Sequence, residues 1–201
     1  MPRHIATASL ALVLTAASFV RPLGAQETPD PSPELRDAYA TLLGLDLDGE
    51  QPVRDGRTDI YRSNLDNPAA PRLVTRLEVS GNECRVRTTS ALQSPGEWAV
   101  LSLTMMDLKR IQSAVAYGSV DDLIAGRNPL RPGDAAARQL VLKGDHLQCT
   151  SRISLADEAE TPVSSCHDRL DISMMDEAQV ARVQKAVALL TERCDIDALR
   201  P

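Results

Sequence analysis

Four cysteines, two histidines and two methionine pairs hold most of the chemistry open to this chain. Cys84, Cys149, Cys166 and Cys194 can bond to one another or hold a soft metal ion, and His146 and His167 are the only imidazoles after His4. His167 lies beside both Cys166 and Asp168. The first neighbour suggests a zinc or copper ligand, the second a catalytic base with its orienting acid. Both readings are weak on geometry. No C-x-x-C spacing occurs, and adjacent residues on a strand point to opposite faces, so Asp168 is badly placed to orient His167. The chain also lacks G-x-S-x-G, H-E-x-x-H, G-x-x-x-x-G-K and G-x-G-x-x-G. That removes the easily read hydrolases, zinc proteases and nucleotide binders.

Apart from Met1, the methionines form two doublets, Met105-Met106 and Met174-Met175. Thioethers can ligate copper if the doublets converge. Packing is the simpler role, although neighbours on a helix differ by about 100°, so one member of each pair must leave the apolar stripe. No residue is assigned to catalysis, and no cofactor or metal is expected.

The elements that would place these residues follow from periodicity. The runs Leu147–Leu155 and Pro162–Ile172 read as two strands joined by the polar segment Ala156–Thr161, whose acids Asp157, Glu158 and Glu160 are solvated. Setting Cys149 opposite Cys166 leaves a short loop and gives a disulfide worth about 3 kcal/mol on the chain-entropy model. The remaining pair, Cys84 with Cys194, then ties a strand to the end of the last helix.

Two halves of the chain resemble one another. Leu77-Glu78-Val79-Ser80-Gly81-Asn82 before Cys84 is answered by Leu140-Val141-Leu142-Lys143-Gly144-Asp145 before Cys149, and Ser102–Asp107 by Asp171–Asp176. Each half reads as strand, tight turn at the glycine, strand, strand, helix, with both equivalent cysteines on the buried side. Trp98–Leu103, apolar on both sides, is read as a central strand. Thr104-x-x-Asp107 and Ser173-x-x-Asp176 resemble helix starts. Apolar stripes follow at Leu108, Ile111 and Val115, and at Val180, Val183, Val187 and Leu190.

An earlier helix begins at Ser32-Pro33, places Leu35, Tyr39 and Leu42 on one face and stops at Gly44. Residues 45–71 are polar and read as a long surface loop. Asp46 and Asp48 before Gly49 lack the ligand spacing and closing glutamate of a calcium loop. Ser119–Ala125 reads as one or two helical turns. The expected organisation is residues 1–25 as a signal peptide, 26–71 as leader, helix and loop, 72–118 as the first half, 119–136 as connector and 137–201 as the second half. Residues 72–201 form one domain. The fold class is α+β, an antiparallel sheet of tandem repeats covered by helices.

The export reading rests on Arg3 and His4 before an uncharged apolar run, Ile5–Val20, followed by Pro22 and Ala25. The run is shorter than a membrane span needs, although an uncleaved anchor is its alternative. Residues 1–25 hold Arg3 and Arg21 and no acid, so beyond them 20 basic side chains face 28 acidic ones, a net charge of −8. That charge disfavours nucleic acid and anionic membrane surfaces. The few rings left, Tyr39, Tyr61, Trp98 and Tyr117, make no stacking platform for bases.

These features predict a periplasmic or secreted, disulfide-stabilised binding or interaction module without a membrane span. Its partner is a protein or peptide ahead of a small molecule. Two alternatives remain: a periplasmic hydrolase built on His167, and an exported secretion chaperone using apolar surface around the methionines.

Overall fold

The computed structural model describes residues 30–45, 51–63, 72–94, 97–154 and 162–200. The proposed signal peptide, the Asp46–Asp48 turn and the acidic loop 156–161 lie outside them. The described residues form an eight-stranded antiparallel sheet and three α-helices. The helices are α1 (Pro33–Leu42), α2 (Val120–Ala125) and α3 (Glu177–Cys194). The strands are β1 (Val53–Asp55), β2 (Thr58–Arg62), β3 (Arg72–Val79), β4 (Arg85–Ser94), β5 (Glu97–Asp107), β6 (Ser113–Tyr117), β7 (Gln139–Ser154) and β8 (Val163–Ser173). No described helix is long and apolar enough to cross a membrane.

The sheet runs β1-β2-β3-β4-β5-β7, and β7 is its spine. Its second half pairs with β5 and its first half with β6, so β5 and β6 lie end to end along one edge of β7. β8 follows the other edge. One 3₁₀ turn, Leu108–Arg110, separates β5 from β6.

Helices α1 and α3 cover part of one sheet face. Ser32 caps α1 by accepting from the Leu35 amide, with Pro33 at the first helical position, and Gly44 leaves in the left-handed region at φ 66°. Leu35, Tyr39 and Leu42 are buried from α1, and Val180, Val183, Val187 and Leu190 from α3, the stripe read from sequence. They meet Leu77, Val79, Val86, Met106, Leu140, Leu142 and Ile172 of the sheet in one filled core.

Both ends of the core are joined at one turn. The wholly buried Tyr39 donates its hydroxyl to the Glu83 carbonyl at 2.8 Å, and burial, reinforced by the Asp107 and Glu83 carboxylates, raises its phenol far above the ordinary value. Glu83 itself takes φ 61°. The next residue, Cys84, is disulfide-bonded to Cys194 at the end of α3 and accepts the Leu108 amide on its carbonyl at 2.9 Å. Arg193 reaches the Glu83 carboxylate at 3.5 Å. The second disulfide, Cys149–Cys166, crosses directly between paired positions of β7 and β8.

Four expectations are corrected. First, residues 45–71 contain a hairpin, β1–β2, turning on Gly56-Arg57 with Asp55 opposite Thr58. Asp-Gly between short strands is a hairpin signal, obscured here by the charge of the strands themselves. Second, no helix follows Thr104. β5 continues to Asp107, the Thr104 hydroxyl bonds that of Thr150 on β7 at 2.9 Å, and Asp107 caps only the 3₁₀ turn. A central strand offers a backbone partner on both edges, and that outweighs a capping motif.

Third, Gly144-Asp145 is not a hairpin turn. β7 is continuous, and four of its residues, 144 to 147, stand opposite Asp168 alone between the pairs Lys143–Arg169 and Gln148–His167. The sequence likeness therefore does not produce a structural repeat: one half contains a hairpin, the other a bulged strand, and only the second ends in an α-helix. Fourth, Cys84 is buried, but Cys149, paired with the exposed Met105, lies on the face away from the helices. In the second half α3 is capped by Asp176, while Ser173 bonds Gln139.

Gly144 is where the bulge meets the 3₁₀ turn. A Cβ there would stand 1.9 Å from the Arg110 carbonyl oxygen and 2.7 Å from its carbon, both backbone atoms. Gly144→Ala should cost about 3 kcal/mol or more, read by urea denaturation. The disulfides should differ in weight. Cys84–Cys194 closes a separation of 110 residues and Cys149–Cys166 one of 17. Removing them by paired Cys→Ala substitution should therefore cost about 5 and about 3 kcal/mol respectively on the chain-entropy model.

Candidate interaction surface

Antiparallel register places directly paired residues on the same face. Beyond the helices, the helix-side face of the sheet carries Thr88, Ser90, Ser102, Thr104, Thr150 and Ser165 in neighbouring registers. Hydroxyls pair across it at 2.9 Å, Thr75 with Ser90 and Thr104 with Thr150. The opposite face of the same strands carries an apolar stripe among polar residues. Ala91 pairs with Leu101 and Leu101 with Ile153, Leu103 stands between Thr89 and Ser151, and Met105 pairs with Cys149, next to the disulfide.

Much of this apolar stripe is open. Met105 is 53% exposed and Leu103 37%. Its border is charged: Arg85 bonds Asp107 at 2.7 Å, and Arg87 bonds Glu78. An apolar centre with a polar margin is the anatomy of a recognition surface. Beside it, β8 pairs only with β7, and among the described residues no strand takes its other edge. Val163–Arg169 of that edge are exposed on both faces. The sequence shows the period of two in Leu101-Ser102-Leu103-Thr104-Met105. What it conceals is that the apolar members face away from the helices.

The methionine doublets each split between core and surface. Met106 and Met174 are buried, whereas Met105 and Met175 are exposed, Met175 by 83%. Met105 pairs with Cys149 within β7, whereas Met174 bonds to Arg138 just before that strand begins, so the doublets sit at separate places along it. The His167 Nε2 lies 3.4 Å from the Ser165 hydroxyl on the exposed edge strand. Asp168 turns instead to the backbone amide of His146, 2.7 Å away, and His146 Nδ1 stands 2.8 Å from Asp145 Oδ1. Ligand atoms of Asp145, His146 and Asp168 all lie within 4.8 Å of one another. His146 is exposed, and only the bulge brings Asp168 to it.

Buried side chains occupy the centre between sheet and helices, and a cavity of about 370 Å³ opens at its margin, between the end of α1, Gln148 and Ile172 of the sheet and Val183 of α3. Another, about 420 Å³, is an open groove where Asp37 and Thr41 of α1 and Tyr61 of β2 face Arg182, Lys185 and Leu189 of α3. Behind it Asp59 is wholly buried. Its carboxylate lies 3.1 Å from Arg36 and 3.9 Å from Arg54, yet neither oxygen accepts a well-aligned hydrogen bond among the described residues. Proximity without alignment leaves the charge poorly solvated. Burial therefore outweighs the two arginines and raises the Asp59 carboxyl above its ordinary range, with a smaller push from Asp37.

No family model, characterised protein or solved structure matches this chain.

A raised carboxyl pKa means that the folded state holds the proton more tightly than the unfolded chain. Its stabilising contribution is complete below the unfolded value, about 3.9, and is lost as pH rises through the folded value. The stability of the wild type relative to Asp59→Asn should therefore increase as pH falls from neutral, measured by urea denaturation at a series of pH values. A difference that grows in favour of the wild type with rising pH would mean that the arginines prevail.

Proposed function

We propose that the protein is an exported, disulfide-stabilised binding module without catalytic activity of its own, and that it engages a protein or peptide partner through the open sheet face and the β8 edge. The observation that carries this reading is the stripe of exposed Leu103 and Met105 with half-buried Leu101 and Ile153, which runs beside a disulfide and a free strand edge. Exposed apolar area of this kind, rimmed by charge, is a recognition feature in a soluble domain. The free edge adds backbone donors and acceptors that an extended segment can pair with.

Two disulfides and the absence of a membrane-spanning helix among the described residues are compatible with the oxidising compartment that the first 25 residues suggest. A small-molecule site fits less well, because the cavities are open grooves rather than enclosed pockets. A hydrolytic site would rest on the Ser165–His167 contact, which has neither an orienting acid nor enclosing walls among the described residues.

Crosslinking in the exported compartment tests the proposal. A photoreactive residue at position 103 should capture a defined partner. The double substitution Leu103→Glu and Met105→Glu should abolish capture from a neighbouring reporter position while leaving thermal unfolding within a few degrees of the wild type. Capture that survives the double substitution would exclude this face.

A further inference from the structure

We propose that the bulge of β7 is a binding site for a divalent transition-metal ion of the zinc type, held by Asp145, His146 and Asp168. The Nδ1 of His146 and the Oδ1 of Asp145 are 2.8 Å apart. Two ligands of one ion, each at about 2.0–2.2 Å, have that spacing when they subtend close to a right angle. The ion takes the place of the proton shared between these atoms, and Nε2, on the far side of the ring, carries the imidazole proton. Asp168 supplies the third ligand from β8, its ligand atom within 4.8 Å of the other two. Rotation of exposed side chains closes that distance, and water fills the remaining positions.

The site is built by the fold. Gly144 lies close against the Arg110 carbonyl where β7 bulges, and His146 in the same bulge takes φ 49°. Its backbone amide donates to Asp168 Oδ1 at 2.7 Å, which fixes the carboxylate beside the imidazole. Outer-shell hydrogen bonds of this type orient ligands.

The charge around the cluster is compatible with a cation there. Several acids elsewhere are matched by arginines: Asp59 by Arg36, Glu78 by Arg87, Asp107 by Arg85 and Asp171 by Arg169. Among the described residues no arginine or lysine pairs with the side chain of Asp145 or Asp168. Two neighbouring cations are engaged otherwise, Arg169 with Asp171 at 2.8 and 3.0 Å, and Arg110 with Asp107 and the Asp145 backbone carbonyl. Two carboxylates thus converge on one imidazole without a countercharge. One nitrogen and two oxygens suit a borderline ion; the imidazole disfavours calcium and magnesium, which prefer oxygen throughout.

Calorimetric titration of the metal-free full chain, disulfides intact, with zinc chloride should show one saturable site in the micromolar range. His146→Asn keeps a residue that tolerates the left-handed backbone, and Asp168→Asn removes a ligand from the other strand. Each should weaken binding by about tenfold or more, with far-UV circular dichroism unchanged, while His167→Ala should bind like the wild type. Absence of saturable uptake in the micromolar range, or a His146→Asn protein that binds as tightly as the wild type, overturns the assignment. Loss of binding in His167→Ala alone would move the ion to the β8 edge and equally overturn it.

Discussion

The hydroxyl of Tyr39 and the sulfur of Cys84 grip the same turn from opposite sides, and the arrangement of helices on sheet depends on that grip. Glu83 and Cys84 connect β3 to β4, a place where a chain is ordinarily loose. Here the Glu83 carbonyl receives Tyr39 from α1, Cys84 is bonded to the last residue of α3, and the Cys84 carbonyl holds the turn after β5. Two helices distant in sequence are thereby fixed to one corner of the sheet. An unpaired carbonyl buried at that corner would cost about 1–3 kcal/mol, and the phenol stays protonated because its burial resists ionisation.

From that corner the sheet outruns its cover. α3 spans 18 residues and lies with α1 over the half of the sheet built from β6, the start of β7 and the inner ends of β3 to β5. The far ends of β4, β5, β7 and β8 continue past the helices, and their alternation changes character there. The helix-side positions become Thr and Ser, and the apolar residues turn outward. Hydroxyls tolerate water on an uncovered face, whereas the outward Leu and Met residues gain nothing in the isolated chain. That reversal separates a folding surface from a recognition surface.

What the sequence made legible was whatever depended on one element at a time. The stripe Val180, Val183, Val187 and Leu190 appears at helical spacing because α3 has a single buried side, and Ser32-Pro33 announces α1 because a cap is a local device. The strands around Cys149 and Cys166 are visible for the same reason. Legibility failed where a partner decided the outcome. Thr104-x-x-Asp107 satisfies the local chemistry of a helix start, yet β4 and β7 claim the segment as strand. Gly144-Asp145 has the chemistry of a turn, but β6, β5 and β8 pair the flanking residues on both sides and leave only a bulge. The cluster at His146 was hidden for that reason, since Asp168 reaches it only through the lost register. A resemblance between two stretches of sequence was likewise not a resemblance of environment.

The bond between Cys149 and Cys166 has a further consequence for the free edge. A strand at the margin of a sheet can ordinarily be peeled away and its place taken by an invading segment, or exchanged with the same strand of another copy. Here β8 is riveted to β7 across the ladder, and the 17-residue separation makes that part of the chain a covalent ring. A visiting strand can therefore extend the sheet but cannot replace its last member, and two copies can abut along β8 without trading it. Only reduction opens the ring, so the chemistry of the compartment decides whether this margin accepts addition alone or also exchange.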